Sequence, residues 1–253
     1  MIKGIRKEFN DMKVRFFGTL IVILGLFFIL APFQKFTVSM LEGYMGNPQV
    51  EKFLPGSMIE RLKEWNFYIN TQWYGKNFGQ IIPIIGILMA FPLFAREYEN
   101  GTIAFLLVRR SRKEIYTTKV LMGLMGTVLL VMIGGILPAI FSSIAQKSYE
   151  YSVVPKFIIH NIFGALIWYT LSVIFSVLFN DQVKPLLASL GLLALTTTAG
   201  LIKSLKFLNT FSYALGMSVF NHNKVDIKYT IGIVILSVLF IFFGYLIFDK
   251  KEI

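Results

Sequence analysis

A chain of 253 residues that is 55% hydrophobic and 15% charged, with 25 phenylalanines, is too apolar for an ordinary soluble domain, which carries about 25% charged residues. Its net charge of +11 sits at the ends of apolar runs and scattered through loops; without a basic stripe interleaved with aromatics this argues against nucleic acid and for anionic lipid headgroups. The absence of cysteine excludes disulfides and thiolate metal sites, and two histidines far apart in sequence make no metal signature.

In chain order, Ile2, Ile5, Phe9 and Met12 recur every three or four residues between basic side chains. That spacing predicts an amphipathic helix over Met1–Arg15, an elbow lying in the headgroup region; a frayed cationic tail is the competing reading. Phe16–Phe33 is long for the apolar part of a secretory signal and ends in APFQKF without a small-residue cleavage pattern, so it reads as a retained first span. Ser39–Asn77 reads as a long external loop. Within it, Ser57–Glu60 fits a capping box opening a short helix with Ile59, Leu62 and Trp65 on one side. Trp65, Phe67, Tyr68, Trp73 and Tyr74 then approach the next span as an interfacial aromatic belt, or alternatively as a cluster gripping a substrate.

Five further uncharged runs follow: Phe78–Ala95, Val120–Ala145, Phe157–Phe179, Pro185–Ile202 and Tyr229–Phe248. Roughly 20 apolar residues in a helix cross a hydrocarbon core of about 30 Å, and continuous runs favour helices over the alternating strands of a barrel. The predicted fold is an all-α polytopic membrane protein, a single transmembrane domain over residues 1–253 with about six transmembrane helices. Lys203–Lys228 reads as an external, semi-apolar loop with the composition of a segment that dips back into the membrane. Lysine and arginine are densest beside the span ends if both termini are cytoplasmic, in a plasma membrane of bacterial type.

The proposed spans contain no Asp, Glu, Lys or Arg, whereas ion-coupled transporters place such groups at depth. His160 and Asn161 are the one strong polar pair, near a span end. Pro83, Pro92 and Pro138 are potential kinks, while Gly123/Gly126, Gly134/Gly135 and Ser172/Ser176 offer small-residue faces for helix contact, within the chain or across a dimer. No phosphate loop, zinc-protease motif or nucleophile elbow occurs. The chain is therefore not expected to be an enzyme or to hold a cofactor or metal, and any ATP must bind another subunit.

One segment, Phe94–Lys119, is charged and contains glycine between two apolar stretches. Glu97 and Glu99 follow the second span, Gly101 permits a sharp turn, and Thr102 is placed to N-cap a short helix. Ile103, Leu106 and Leu107 share one face of that helix, with Arg109, Arg110, Arg112 and Lys113 beyond. The pattern suits docking into a partner's groove; an ordinary interfacial helix anchored by basic residues fits it equally well.

On Glu97, Glu99, Gly101, Thr102, Leu106, Leu107, Ser111, Arg112 and Lys119, the segment resembles the cytoplasmic loop of type-2 ABC exporter permeases. The six-span layout, the amphipathic N-terminus and the semi-apolar loop before the last span are similar too, so the resemblance covers most of the chain. Arg109-Arg110 stands where the family often has a proline before Ser-Arg. The resemblance implies a permease half that pairs with a second permease, identical or related, and with an ATP-binding cassette ATPase. Residues 96–119 would form the coupling loop, with Glu97, Glu99, Gly101, Thr102, Ile103, Leu106, Leu107 and Arg112 as the coupling residues. Export of a hydrophobic or amphipathic substrate is the implied activity. The rival is a non-transporting membrane scaffold, sensor or immunity factor that docks a cytosolic partner through the same loop.

Overall fold

The computed structural model describes residues 2–43 and 56–252, with side chains described from Lys7 onward. The described residues form helices α1 (Ile2–Leu30), α2 (Gln34–Glu42), α3 (Gly56–Leu62), α4 (Trp65–Glu99), α5 (Ile103–Arg109), α6 (Arg112–Ile144), α7 (Val154–Leu178), α8 (Val183–Ala199) and α9 (Ile227–Lys250), with short helical turns between α8 and α9 and no strand. Five of these stretches are long and apolar enough to cross a membrane: Lys7–Leu30, Trp65–Glu99, Arg112–Ile144, Tyr151–Leu178 and Ile227–Lys250. The remaining stretch expected to span corresponds to α8, an apolar helix of 17 residues that is shorter than these five.

The elements differ from the sequence expectation in three places. First, α1 is one unbroken helix from Ile2 to Leu30, so the described part of the expected amphipathic stretch, residues 2–15, continues into the first span without a break that would set off a separate elbow. Second, the second span begins at Trp65, so the last third of the expected Ser39–Asn77 loop is helix, including a π-helical stretch over Asn70–Asn77. Third, α3 starts at Gly56, which puts Ser57 inside the first turn instead of at the cap.

The aromatic group at the start of α4 is core and not a belt. Trp65, Tyr68, Trp73 and Tyr74 are all buried. The reason lies in α6, where Pro138 has no N–H and leaves the Gly134 carbonyl without its helical donor. Trp73 Nε1 donates to that carbonyl at 2.9 Å, Tyr74 donates its hydroxyl to the next one, Gly135, and Trp65 Nε1 donates to Ser142 Oγ at 2.7 Å. Away from water, a freed carbonyl must find such a partner.

Helix α7 is the centre of the bundle, packed against α4, α6, α8 and α9. Small residues make this possible, and they meet within the chain. A Cβ added at Gly86 would lie 2.3 Å from the Ala165 carbonyl, and one at Gly135 2.5 Å from Ile158. Ser172 joins α8 through Ser189 at 2.9 Å. Both termini lie at the end of the bundle that carries α5, since Lys7 meets Glu97 and Arg112 meets Lys251. The 203–226 segment lies at the opposite end, where the Asp226 amide donates to His160 Nε2 at 3.3 Å and Asn161 Nδ2 donates to the Ala214 carbonyl at 2.7 Å.

Candidate functional site

The loop between the second and third spans is built from a proline break. Pro92 lacks the N–H that would serve the Leu88 carbonyl, and the chain turns over residues 91–94. The Arg15 guanidinium donates to the Leu88 and Met89 carbonyls, each at 3.4 Å. The amides of Phe94 and Ala95 turn to Ser176 Oγ at 2.9 and 3.2 Å. These bonds fix the direction in which residues 95–99 leave the bundle.

That direction carries Glu97 inward, where it is 5% exposed. Its carboxylate accepts from Lys119 Nζ at 2.8 Å, from Lys7 Nζ at 2.5 Å and from the Thr102 hydroxyl. Lys119, itself 2% exposed, also donates to Glu8 at 3.0 Å. Two acids and two lysines from α1, α4 and α6 thus neutralise one another where water is scarce, which makes their burial tolerable. Asp11 flanks the cluster, 3.7 Å from Lys7 and 3.7 Å from Arg96.

Gly101 follows with φ +64°, and a Cβ there would meet nothing within 4 Å. The position needs glycine for its left-handed backbone and not for space. Thr102 occupies the N-cap position of α5, but its hydroxyl is spent on Glu97 and makes no cap bond. The true cap is one helix later: Ser111 Oγ accepts from the Glu114 amide at 3.2 Å and opens α6.

Helix α5 is turned the other way round from the sequence expectation. Ile103 is 3% exposed, and Leu106 and Leu107 are half-buried against the core. The face directed away from the bundle carries Ala104, Phe105, Val108 and Arg109, with Phe105 73% and Val108 87% exposed. Of the eight residues singled out from sequence, Glu97, Ile103, Leu106 and Leu107 hold α5 in place and Gly101 turns the chain toward it. Glu99 accepts from Gln182 Nε2 at 2.6 Å. Arg112 donates to the carbonyls of Phe248 and Lys251 at 2.7 and 2.9 Å, tying the start of α6 to the end of α9. Phe105 and Val108 stand outside that expectation, although the sequence holds a signal for their exposure: two large apolar residues three apart, left over in a charged segment after the inward face is assigned.

A short helix with an apolar outward face is thus held on a neutralised ionic cluster between the second and third spans. The family profile described as "ABC-2 family transporter protein" matches residues 5–253. The chain belongs to this family. No curated protein and no solved structure matches it. As an ABC-2 family protein it is a multi-pass membrane permease of an ABC transporter, the transmembrane component and not the ATPase. ABC-2 permeases generally work with an ATP-binding subunit.

Proposed function

We propose that this ABC-2 permease forms the translocation path of an ATP-driven exporter and that α5 is its coupling helix. In this reading the α5 end of the bundle is cytoplasmic. Ala104, Phe105 and Val108 dock into a groove of an ATP-binding cassette subunit, and a second permease, identical or related, completes the path. The supporting observation is the pairing of an exposed apolar face with a fixed base. Phe105 and Val108 are 73% and 87% exposed, while Ile103, Leu106 and Leu107 behind them pack on the core and Thr102, which opens α5, is bonded to Glu97 and through it to Lys7 and Lys119. Closure of the ATPase pair would move α5 as a body, and the ionic cluster would pass that motion to three helices at once, as in other rigid-body transitions. An amphipathic substrate suits spans whose few buried charges are gathered at one end.

The test is co-expression with the ATP-binding subunit and measurement of copurification and ATP turnover. Phe105→Asp and Val108→Asp are expected to abolish association while leaving membrane insertion and yield near wild type, because exposed positions rarely contribute more than about 0.5 kcal/mol to stability. Undiminished association in both variants would remove the coupling assignment. Association with a partner that turns over no ATP would favour the scaffold reading instead.

A further inference from the structure

At the end of the bundle opposite α5, a cleft of about 500 Å³ opens between α7, α8 and α9. Its walls are Ile167, Trp168 and Leu171 from α7 and Ile233, Leu236 and Phe240 from α9. The polar groups along it are already engaged: Trp168 Nε1 donates to Thr210 Oγ1 at 2.8 Å, and the Tyr229 hydroxyl donates to the Phe207 carbonyl at 3.0 Å. What remains is an apolar slot whose lining includes the exposed Lys228. Phe207 and Tyr229 are shared with a second cavity of about 340 Å³, whose lining adds the polar residues Lys206, Asn209, Ser212, Ser218 and Asp226. Lys206 and Lys228 form no ion pair among the described residues. The Asp226 carboxylate caps α9, accepting from the Tyr229 amide at 3.1 Å.

We propose that these two adjoining cavities form a binding site for one anionic phospholipid of the leaflet at that end, the acyl chain in the slot and the phosphate between Lys206 and Lys228. The dimensions support this occupant. Lys228 and Phe240 are 12 positions apart on α9, or about 18 Å along the axis, close to half of a hydrocarbon core of about 30 Å. The cation therefore stands at headgroup level while the apolar lining ends near the bilayer midplane. Charge complementarity selects the headgroup: between residues 203 and 228 stand Lys203, Lys206, Lys224 and Lys228 against one acid, Asp226. Gly232 lies in the lining, and a Cβ there would meet nothing within 4 Å, so this helix position is left open where a chain would lie. The other large apolar cavity, of about 480 Å³, is lined by residues 111–125 of one helix and its cap, so no second element closes over it. The site lies away from α5 and does not depend on the coupling proposal.

The full-length chain, purified in detergent and supplied with phosphatidylglycerol or phosphatidylcholine, tests this by native mass spectrometry. One phosphatidylglycerol is expected to remain bound in preference to phosphatidylcholine. Gly232→Leu, at a position where a Cβ meets nothing within 4 Å, puts a side chain into the slot and is expected to remove it. Gly191→Leu on α8, where a Cβ also meets nothing within 4 Å, serves as the control and is expected to keep it. Lys206→Gln and Lys228→Gln, both at exposed positions, are each expected to lower the preference for phosphatidylglycerol about fivefold, the effect of one basic residue at a membrane surface. Equal retention of the two lipids by the wild-type chain, wild-type retention by Gly232→Leu, or an unchanged preference in both lysine variants would overturn the proposal.

Discussion

Glu97 shows how one side chain changes meaning once its neighbours are known. By sequence it is an acid beside a turn, counted among the coupling residues; in the fold it is buried between Lys7 and Lys119. Nothing local could reveal this, because Lys7 lies 90 positions away and Lys119 lies 22 away. Removing one member of a buried ionic group strands the others, at a cost of about 3–5 kcal/mol. Glu97→Ala is therefore expected to lower the thermal stability of the purified permease by that order, and Glu97→Ala with Lys119→Met to recover part of it. Lys7 is 40% exposed, so Lys7→Ala is expected to cost no more than about 1 kcal/mol. A Glu97→Ala melting curve equal to wild type would mean that the cluster contributes nothing. Gly101→Ala tests a different cause at the same turn. With no neighbour to strike, it is expected to cost only the left-handed backbone penalty of about 1–2 kcal/mol.

At the scale of elements, the sequence revealed the stretches that form helices, while the side each stretch presents came from tertiary contacts. Spacing of i, i+3 and i+4 groups Ile103 with Leu106 and Leu107, and the three do share a face. Spacing is silent on whether that face looks into the bundle, and Phe105 and Val108 are left outside. The aromatics of α4 pose the same ambiguity, since Trp and Tyr donors satisfy headgroups and freed carbonyls equally well. The decision came from Pro138, four positions after Gly134, whose effect on Trp73 needs α4 and α6 to be side by side. This yields a double-mutant expectation. Trp73→Phe leaves the Gly134 carbonyl unpaired and is expected to cost about 1–3 kcal/mol. In a Pro138→Ala background the restored amide can serve that carbonyl, and the hydrogen-bond part of the loss is expected to vanish. Strictly additive effects in chemical unfolding would show that the two sites do not share the carbonyl.

For the whole molecule, the arrangement divides the chain into two chemically distinct ends. One gathers both termini, α5 and the ionic cluster, tied by Lys251 Nζ to the Val177 carbonyl at 2.7 Å and by Arg112 to the end of α9. The other gathers the lysine-rich 203–226 segment around His160 and Tyr213. A force received by α5 would reach the distal end through α7, which touches four of its neighbours. This places a simple demand on orientation: the α5 end must face the ATP. The native chain has no cysteine, so single cysteines report cleanly. In intact cells, Val108→Cys and Glu252→Cys are expected to resist a membrane-impermeant maleimide until the membrane is opened, while Asn221→Cys and Lys224→Cys react at once. All four positions are exposed in the fold, so in cells that express the chain without its ATP-binding subunit a difference in labelling reports the membrane side and not burial. Immediate reaction at Val108→Cys with protection at Asn221→Cys would invert the bundle and put α5 where no ATPase can reach it.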